Sequence, residues 1–309
     1  MKIITLTLNP AFDLHLSADG FKPYGESVAR VTDRDAGGKG VNISRALTAY
    51  GVENEALILL GEENADEFRK CLENEQIRYT GATLRGRIRE NITLHTEGKP
   101  ETRISFEGFV ASDVDLENIL RVLETRIDGD SIVTFTGSLP RGVTHGGMMA
   151  LLSGIKALGA RLVIDSHAVS RDDIISLKPW LIKPNGEEAS AYIGREADSP
   201  TEALEGARLL RESGVENVMV TLGGAGALLV TKDGAYIAEP PSITPLSTVG
   251  AGDSTVAGFI AAMARGESAA ECFRLGVAFG TAACLTRGTN PPKNDDVLKI
   301  LNEIKITKI

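Results

Sequence analysis

The sequence predicts an α/β protein built on an open, mainly parallel sheet, and three observations carry that prediction. From residue 116 onward, short β-branched runs alternate with helical apolar periods at the spacing of βα units. Polar residues stand just past the strand ends, at Asp13, Ser138, Asp165, Lys183 and Thr221, where open sheets of this kind bind ligands. Two glycine-rich turns each run straight into a helical pattern, residues 36–42 early and residues 250–253 late.

Taken in order, Ile3 to Leu8 is a β-branched run stopped by Asn9-Pro10, which predicts an interior strand and a turn. Phe12 to Leu16 and Ser27 to Val31 alternate apolar and polar residues, the pattern of half-exposed strands. Val41, Ala46, Leu47 and Tyr50 then mark a helix closed by Gly51, followed by a strand at Ala56 to Leu60 and a helix at Ala65 to Leu72. Asn91 to His95 and Thr102 to Phe106 read as a hairpin around Gly98-Lys99-Pro100. Helices are expected at Leu116 to Leu123, Met148 to Ala157 and Thr201 to Arg211. Strands are expected at Ser131 to Thr136, Arg161 to Ile164, Trp180 to Ile182 and Asn217 to Thr221. Ala227 to Thr231 and Ala235 to Ala238 form an antiparallel hairpin near one sheet edge. Helices at Ala269 to Leu285 and Asp295 to Ile304 close the chain. No repeat, linker or low-complexity segment divides it, so residues 1–309 form a single domain.

The late glycine turn is the centre of the chemistry. Val256, Phe259, Ile260 and Met263 give the helix that follows one buried face, and Gly266 stops it. The free amides of its first turn, with the helix dipole behind them, suit an anion. Asp253 at that edge is either a simple first-turn cap or a base that strips a substrate hydroxyl while the amides hold a phosphoryl group. The early turn, Gly37-Gly38-Lys39-Gly40, is not a Walker A loop, because no Ser or Thr follows its lysine. Four arginines lie near the 91–106 hairpin. Either they only solubilise an exposed hairpin, or Arg89 and Arg103 face inward and clamp a phosphate, with Arg85 and Arg87 left as surface charges.

Composition narrows the partners. With 42% hydrophobic and 24% charged residues the chain is an ordinary globular protein. A net charge of −9 argues against nucleic acid or an anionic membrane as ligand, so an anionic substrate must be held by a local basic cluster. The three cysteines, Cys71, Cys272 and Cys284, have no metal-like spacing and read as small buried hydrophobes in a reducing compartment. No secretory segment or membrane span is apparent, and cytoplasmic location is the expectation.

With both glycine turns in hand, the chain resembles the ribokinase-like (PfkB) carbohydrate kinases over nearly its whole length. The likeness runs through Asn9-Pro10-Ala11-Phe12-Asp13, Gly37 to Asn42, Arg89-Glu90-Asn91, Gly137-Ser138-Leu139-Pro140, Lys183-Pro184-Asn185 with Glu188, Thr221 to Gly226, and Ser247 to Asp253. Ser247, where most sugar and nucleoside kinases of the family have Asp, is shared with the phosphosugar branch, whose members phosphorylate fructose 1-phosphate, tagatose 6-phosphate or fructose 6-phosphate.

The resemblance implies a three-layer α/β sandwich with a small β-sheet lid, formed from about 12–33 and 90–106, and a homodimer joined through the lids. It implies Asp253 as base, with Gly250, Ala251 and Gly252 as the anion hole. Asp13, Gly38, Lys39 and Asn42 would hold sugar hydroxyls, and Arg89, Arg103 and Ser138 the substrate's own phosphate. ATP would lie against Lys183, Asn185, Thr221, Gly223, Gly224, Gly226, Ser247, Gly252 and Ala278. Mg²⁺ would be organised through Asn185 and Glu188. The expected substrate is fructose 1-phosphate, converted to the 1,6-bisphosphate, with the other two ketose phosphates as alternatives. The minor 6-phosphofructokinase has a lysine in the lid where this chain has Glu26, which weighs against the 6-phosphate. Arg30, on the other lid strand, could reach a neighbouring subunit's site. A non-catalytic sugar-phosphate sensor would be expected to lack the base or the glycines, and both are present. A Rossmann dehydrogenase would need a G-x-G-x-x-G turn after the first strand, where Asn9-Pro10 stands instead.

Overall fold

A computed structural model describes residues 1–193, 196 and 199–309. The N-terminal part contains β1 (Ile3–Thr7), β2 (Ala11–Ala18), β3 (Arg30–Gly37), α1 (Lys39–Ala49), β4 (Glu55–Gly61) and α2 (Ala65–Asn74). Next come β5 (Tyr79–Leu84), β6 (Arg89–Thr96), β7 (Thr102–Ser105), α3 (Asp113–Glu124), β8 (Ile132–Thr136) and α4 (His145–Ala157). The central part continues with β9 (Arg161–Asp165), α5 (Arg171–Leu177), β10 (Leu181–Ile182), α6 (Gly186–Ile193), α7 (Pro200–Glu212) and β11 (Asn217–Thr221). The chain ends with β12 (Ala227–Thr231), β13 (Gly234–Glu239), α8 (Ala251–Ala264), α9 (Ala269–Ala283), α10 (Asn294–Glu303) and β14 (Lys305–Lys308).

The main sheet has the order β14-β13-β12-β11-β10-β9-β8-β1-β4-β5. It is parallel from β5 to β11 and antiparallel beyond. Each face buries its own apolar layer. Phe68, Leu116, Met148, Ile174 and Leu210 from α2, α3, α4, α5 and α7 cover one face. Ile43, Phe259, Phe273 and Val297 from α1, α8, α9 and α10 cover the other. This is the three-layer sandwich expected, with β1 and β8 fully buried at its centre as parallel strands must be. A separate four-stranded sheet, β3-β2-β6-β7, forms the lid.

Several elements differ from expectation, each for a physical reason. The strand expected at 27–31 is instead β3, which pairs with β2 as far as Gly37, so the early glycine turn belongs partly to the lid. β5 and β14 were not expected, since both are edge strands with little apolar patterning. Short α5 is announced by a capping box of Ser170 and Asp173 rather than by periodicity. The largest departure is α8. One buried face was expected, yet residues 253–262 are buried on all sides, because the helix is wedged between α1, α9 and the sheet.

Candidate active site

The site forms where α8 begins. Gly250 adopts φ 77° ahead of it, and no side chain caps this helix end. The Ala251 N–H leans on the Thr248 carbonyl at 3.4 Å. The first-turn N–H groups of α8 have no intrahelical acceptor and form the anion cradle expected of a bare helix end. Asp253, 6% exposed, sits in that turn and accepts a hydrogen bond from Asn42 Nδ2 at 2.8 Å. Burial, with the charge of Asp165 adding to it, pushes its carboxyl up to about 7, against the pull of Lys39, the Asn42 amide and Lys183. A carboxyl that titrates near neutrality has the protonation equilibrium suited to a general base.

Asp165 organises the lysines. It is fully buried at the end of β9, with Lys39 Nζ at 3.0 Å from Oδ1 and Lys183 Nζ at 3.3 Å from Oδ2, the latter without an aligned hydrogen bond. Burial alone would raise its carboxyl, but Lys183 and Lys39 outweigh that and hold it below the ordinary carboxylate range. An isolated charge at this depth would cost several kcal/mol. Two lysines on one carboxylate leave the cluster net positive. Lys39 opens toward one cavity, and Lys183 lies beside the α8 turn. A Cβ at Gly252 would come within 3.2 Å of Lys183 Nζ, so the glycine lets the ammonium stand against the cradle.

A cavity of about 420 Å³ lies on the lid side of this cluster, lined by Asn9, Lys39, Arg89, Ser138, His167 and the threonines Thr7 and Thr136. Asn9 Nδ2 donates to Ser138 Oγ at 3.0 Å and to the Leu139 carbonyl at 3.1 Å. Arg89 Nε, Thr7 Oγ1 and Thr136 Oγ1 are buried without partners. Three orphaned polar groups in one cavity call for a ligand carrying matching oxygens. Asp13, at the root of the lid, accepts from Asn91 Nδ2 at 2.9 Å, and burial raises its carboxyl.

On the other side of the α8 turn, a cavity of about 480 Å³ is lined by Thr221, Gly223, Gly224, Gly226, Ala251 and Gly252, with Pro241, Ile243, Val277, Thr281 and Cys284 forming a largely apolar wall. A third cavity of about 340 Å³ separates the lid from the 246–249 and 287–288 loops, with His15, His95 and Ser247 in its lining.

Three expected site residues lie elsewhere. Arg103 shares the inward face of the lid by register, opposite Thr93, but sits on the edge strand, is paired with Glu101 at 3.1 Å and lines none of these cavities. Ala278 is fully buried in the core, because the α9 face turned to the cavity is Val277, Thr281 and Cys284, and residue 278 lies a quarter-turn away. Ser247 lines the lid cavity rather than the larger one, its Oγ accepting from the Val249 N–H at 3.2 Å. Among the cysteines, Cys272 is buried as expected, while Cys71 and Cys284 are partly exposed, Cys284 to the cavity.

Asn185 and Glu188 form a reciprocal cap at the start of α6. The Asn185 N–H donates to Glu188 Oε2 at 3.0 Å, and the Glu188 N–H donates to Asn185 Oδ1 at 2.9 Å. Burial lowers Lys39, but Asp165 and Asp253 outweigh it and hold the ammonium above its ordinary range, with Glu188 a smaller contributor; the Glu188 charge also adds to the burial that pushes the Tyr192 phenol up to about 12. Among the described residues no cluster of three acidic, His or Cys side chains could cage a metal. One carboxylate with an oxygen to spare fits a cation that keeps most of its waters, which is the habit of Mg²⁺.

Thr7, Thr136, His167 and Arg45 went unrecognised in the sequence, and Asp165 was legible only as a polar residue on the binding rim. The one available signal was position: each threonine, like Asp165, ends a strand whose neighbours supply recognised site residues.

A sugar-phosphate-sized polar cavity, an apolar cavity and a bare helix end with a carboxylate between them are the parts of a small-molecule kinase. The pfkB family carbohydrate kinase model matches residues 9–296, and the chain belongs to that family of ATP-dependent sugar phosphotransferases. It is 33% identical to the 1-phosphofructokinase of Bacillus subtilis, over 99% of this chain and all of that one. It is 31% identical to the ATP-dependent 6-phosphofructokinase isozyme 2 of Escherichia coli, over 97% of this chain and 98% of that one. The crystal structure of phosphofructokinase-2 from Escherichia coli in complex with substrates and products superposes with a TM-score of 0.90 at 29% identity, covering 98% of this chain and 99% of that one.

Proposed function

We propose that this enzyme transfers the terminal phosphoryl group of ATP to fructose 1-phosphate, giving fructose 1,6-bisphosphate. The observation that carries the phosphosugar reading is the cavity where Arg89 Nε, Thr7 Oγ1 and Thr136 Oγ1 lie buried and unpartnered beside Lys39 and Ser138. A dianion and its hydroxyls supply the acceptors and donors those groups lack. The likeness to the 1-phosphofructokinase of Bacillus subtilis selects the ketose.

In this reading the sugar phosphate enters beneath the lid and ATP occupies the apolar cavity. Asp253 Oδ takes the proton of the acceptor hydroxyl as its oxygen bonds to the terminal phosphorus, and the bond from that phosphorus to the ADP oxygen breaks. The amides of Gly250 to Gly252 and the ammonium of Lys183 stabilise the charge on the migrating group. Mg²⁺, when bound, neutralises nucleotide phosphate charge; Glu188, fixed by Asn185, would hold it through water. Closure of the lid excludes water as a competing acceptor.

Fructose 6-phosphate is the second reading, favoured by the 31% identity to a 6-phosphofructokinase. Coupled assays with fructose 1-phosphate, fructose 6-phosphate and tagatose 6-phosphate decide between them. The proposal requires kcat/KM for fructose 1-phosphate to exceed the others at least tenfold, and preference for a 6-phosphate refutes it.

The enzyme works in the cytosol as a homodimer joined through its lids. Leu14, Ile92 and Ile104 share one register row on the outer lid face, and Leu16, Val31 and Leu94 share the next. Val31, Ile104 and Phe106 remain 63%, 45% and 51% exposed, an apolar patch that association would cover. Ile104→Glu should convert a dimer to a monomer in size-exclusion chromatography; a wild-type protein that is monomeric at micromolar concentration removes the idea.

A further inference from the structure

Behind the base lies a side chain that the reaction as described does not use. Arg45 is 5% exposed, one turn after Asn42 on α1. Its Nη1 donates to Asn42 Oδ1 at 2.8 Å, and Asn42 Nδ2 donates to Asp253 Oδ2 at 2.8 Å. Its Nη2 donates to the carbonyl of Ala36, the next-to-last residue of lid strand β3, and its Nε pairs with Glu75 at the C-terminal end of α2.

The chemistry of the three groups makes the order directional. A carboxamide presents an acceptor at one end and donors at the other, and its shape scarcely distinguishes them. A guanidinium carries donors only, so the end of Asn42 that meets Arg45 must be oxygen, and the end that meets Asp253 must be nitrogen. Without Arg45 the amide is free to rotate and set its oxygen against the carboxylate, acceptor against acceptor. We infer that Arg45 is a positioning residue for the phosphoryl transfer: it fixes the Asn42 amide so that an N–H, not a carbonyl, faces the base. Glu75 in turn holds the guanidinium on the side away from Asn42. Because the same guanidinium grips the Ala36 carbonyl, the root of the lid and the orientation of the base depend on one buried residue.

This inference rests on Asp253 being the base, and the test separates the two. The measurement is kcat, both KM values and the acid limb of kcat/KM against pH for Arg45→Met, Arg45→Lys and Glu75→Gln, with Asp253→Asn alongside. Arg45→Met should lower kcat roughly 10–100-fold, the size of effect that loss of an orienting hydrogen-bond partner has behind metal ligands, with both KM values little changed. Its acid limb should move to higher pH, because the Asn42 hydrogen bond lowers the Asp253 pKa and would be lost. Arg45→Lys, still a donor-only cation, should return the limb toward its original position. Glu75→Gln, at a partly exposed side chain that keeps the arginine in the core, should move it the same way by a smaller step. That variant decides the matter should Arg45→Met fail to fold. An unmoved limb in both Arg45→Met and Glu75→Gln, a change confined to KM, or Arg45→Lys as impaired as Arg45→Met overturns the inference. Substantial turnover by Asp253→Asn overturns the base assignment itself; an inactive Asp253→Asn beside unmoved limbs overturns only the role of Arg45.

Discussion

The two cavities that meet at α8 are built from different materials. The cavity proposed for the nucleotide presents much backbone and no charged side chain: Gly223, Gly224, Gly226, Ala251 and Gly252 line it, and the rest of its wall is apolar side chains with the hydroxyls of Thr221, Ser242, Thr248, Thr255 and Thr281. The cavity proposed for the sugar phosphate is lined by side chains, Arg89, Lys39, Asn9, Ser138, Thr7 and Thr136, that come from separate strands, loops and a helix. A backbone cavity is shaped once the chain folds and binds through amides that cannot swing away. A side-chain cavity holds unpaired polar groups at a cost of about 1–3 kcal/mol each until a ligand arrives. Affinity for ATP should therefore depend on conformation at single glycines, and affinity for the sugar phosphate on individual charges.

Asp253 stands on the seam, and its replacement is the largest expected effect. Asp253→Asn keeps the shape of both cavities and removes the proton acceptor. Its kcat should fall roughly 10²–10⁴-fold, the usual worth of a positioned general base, with the KM for ATP nearly unchanged. Stability should move the opposite way. The carboxyl titrates at about 7 in the folded protein against 3.8 for an ordinary aspartate, so the native state binds the extra proton between those values. Its contribution to stability is greatest below pH 3.8 and declines as pH rises to 7. At pH 8 the Asn variant should be more stable than the wild type, by a free energy of up to roughly 4–5 kcal/mol at ~1.4 kcal/mol per unit, and so melt at a higher temperature, and the gap should close near pH 4. A thermal melt at the two pH values checks this; an equal gap at both would show that the carboxylate is not strained by its surroundings.

The comparison explains what the sequence reveals and what it conceals. The backbone cavity was legible because glycines before helices and after strands announce themselves by type and spacing, as at Gly223 to Gly226 and Gly250 to Gly252. The side-chain cavity was half legible. Ser138 and Lys39 follow directly from motifs, whereas Thr7 and Thr136 are ordinary strand residues until the strand order β8-β1 brings their hydroxyls side by side. Arg89 and Arg103 illustrate the limit. Both flank the same hairpin, but β6 is an interior lid strand rooted against the body and β7 is its edge, so only Arg89 reaches the cavity. Ala278 shows a rotational limit: it lies on the core face of α9, a quarter-turn from Val277, which lines the cavity with Thr281 and Cys284.

That contrast between the two arginines gives the second prediction. Arg89→Ala should raise KM for the sugar phosphate roughly 10–100-fold, the loss of a charged hydrogen-bond partner worth ~1.5–3 kcal/mol, and leave KM for ATP within a few fold. Arg103→Ala, which breaks an exposed pair with Glu101, should change either constant less than twofold, since such pairs contribute about 0–1 kcal/mol. Comparable effects of the two substitutions would mean that the lid closes far enough to bring its edge strand over the substrate.

A smaller effect than that of Arg89→Ala tests the backbone cavity on its own terms. Gly226 ends the turn after β11 at φ 99°, and a Cβ there would collide with the carbonyl oxygen of Ala238 on β13. Gly226→Ala therefore has to shift the turn that carries Gly223 and Gly224 into the nucleotide cavity. At φ 99° and ψ −151° the backbone lies in a region essentially confined to glycine, at a cost to an L-residue of about 1–3 kcal/mol that a shift of the turn partly relieves, so KM for ATP should rise roughly 5–30-fold. No polar group is lost from the sugar-phosphate cavity, and KM there should stay within twofold. The substitution adds a methyl group and removes no hydrogen bond, so a selective effect on ATP can only come from displaced amides. An equal rise in both constants would show instead that the two cavities move as one body, and that the division between backbone and side-chain recognition is one of composition rather than of energetics.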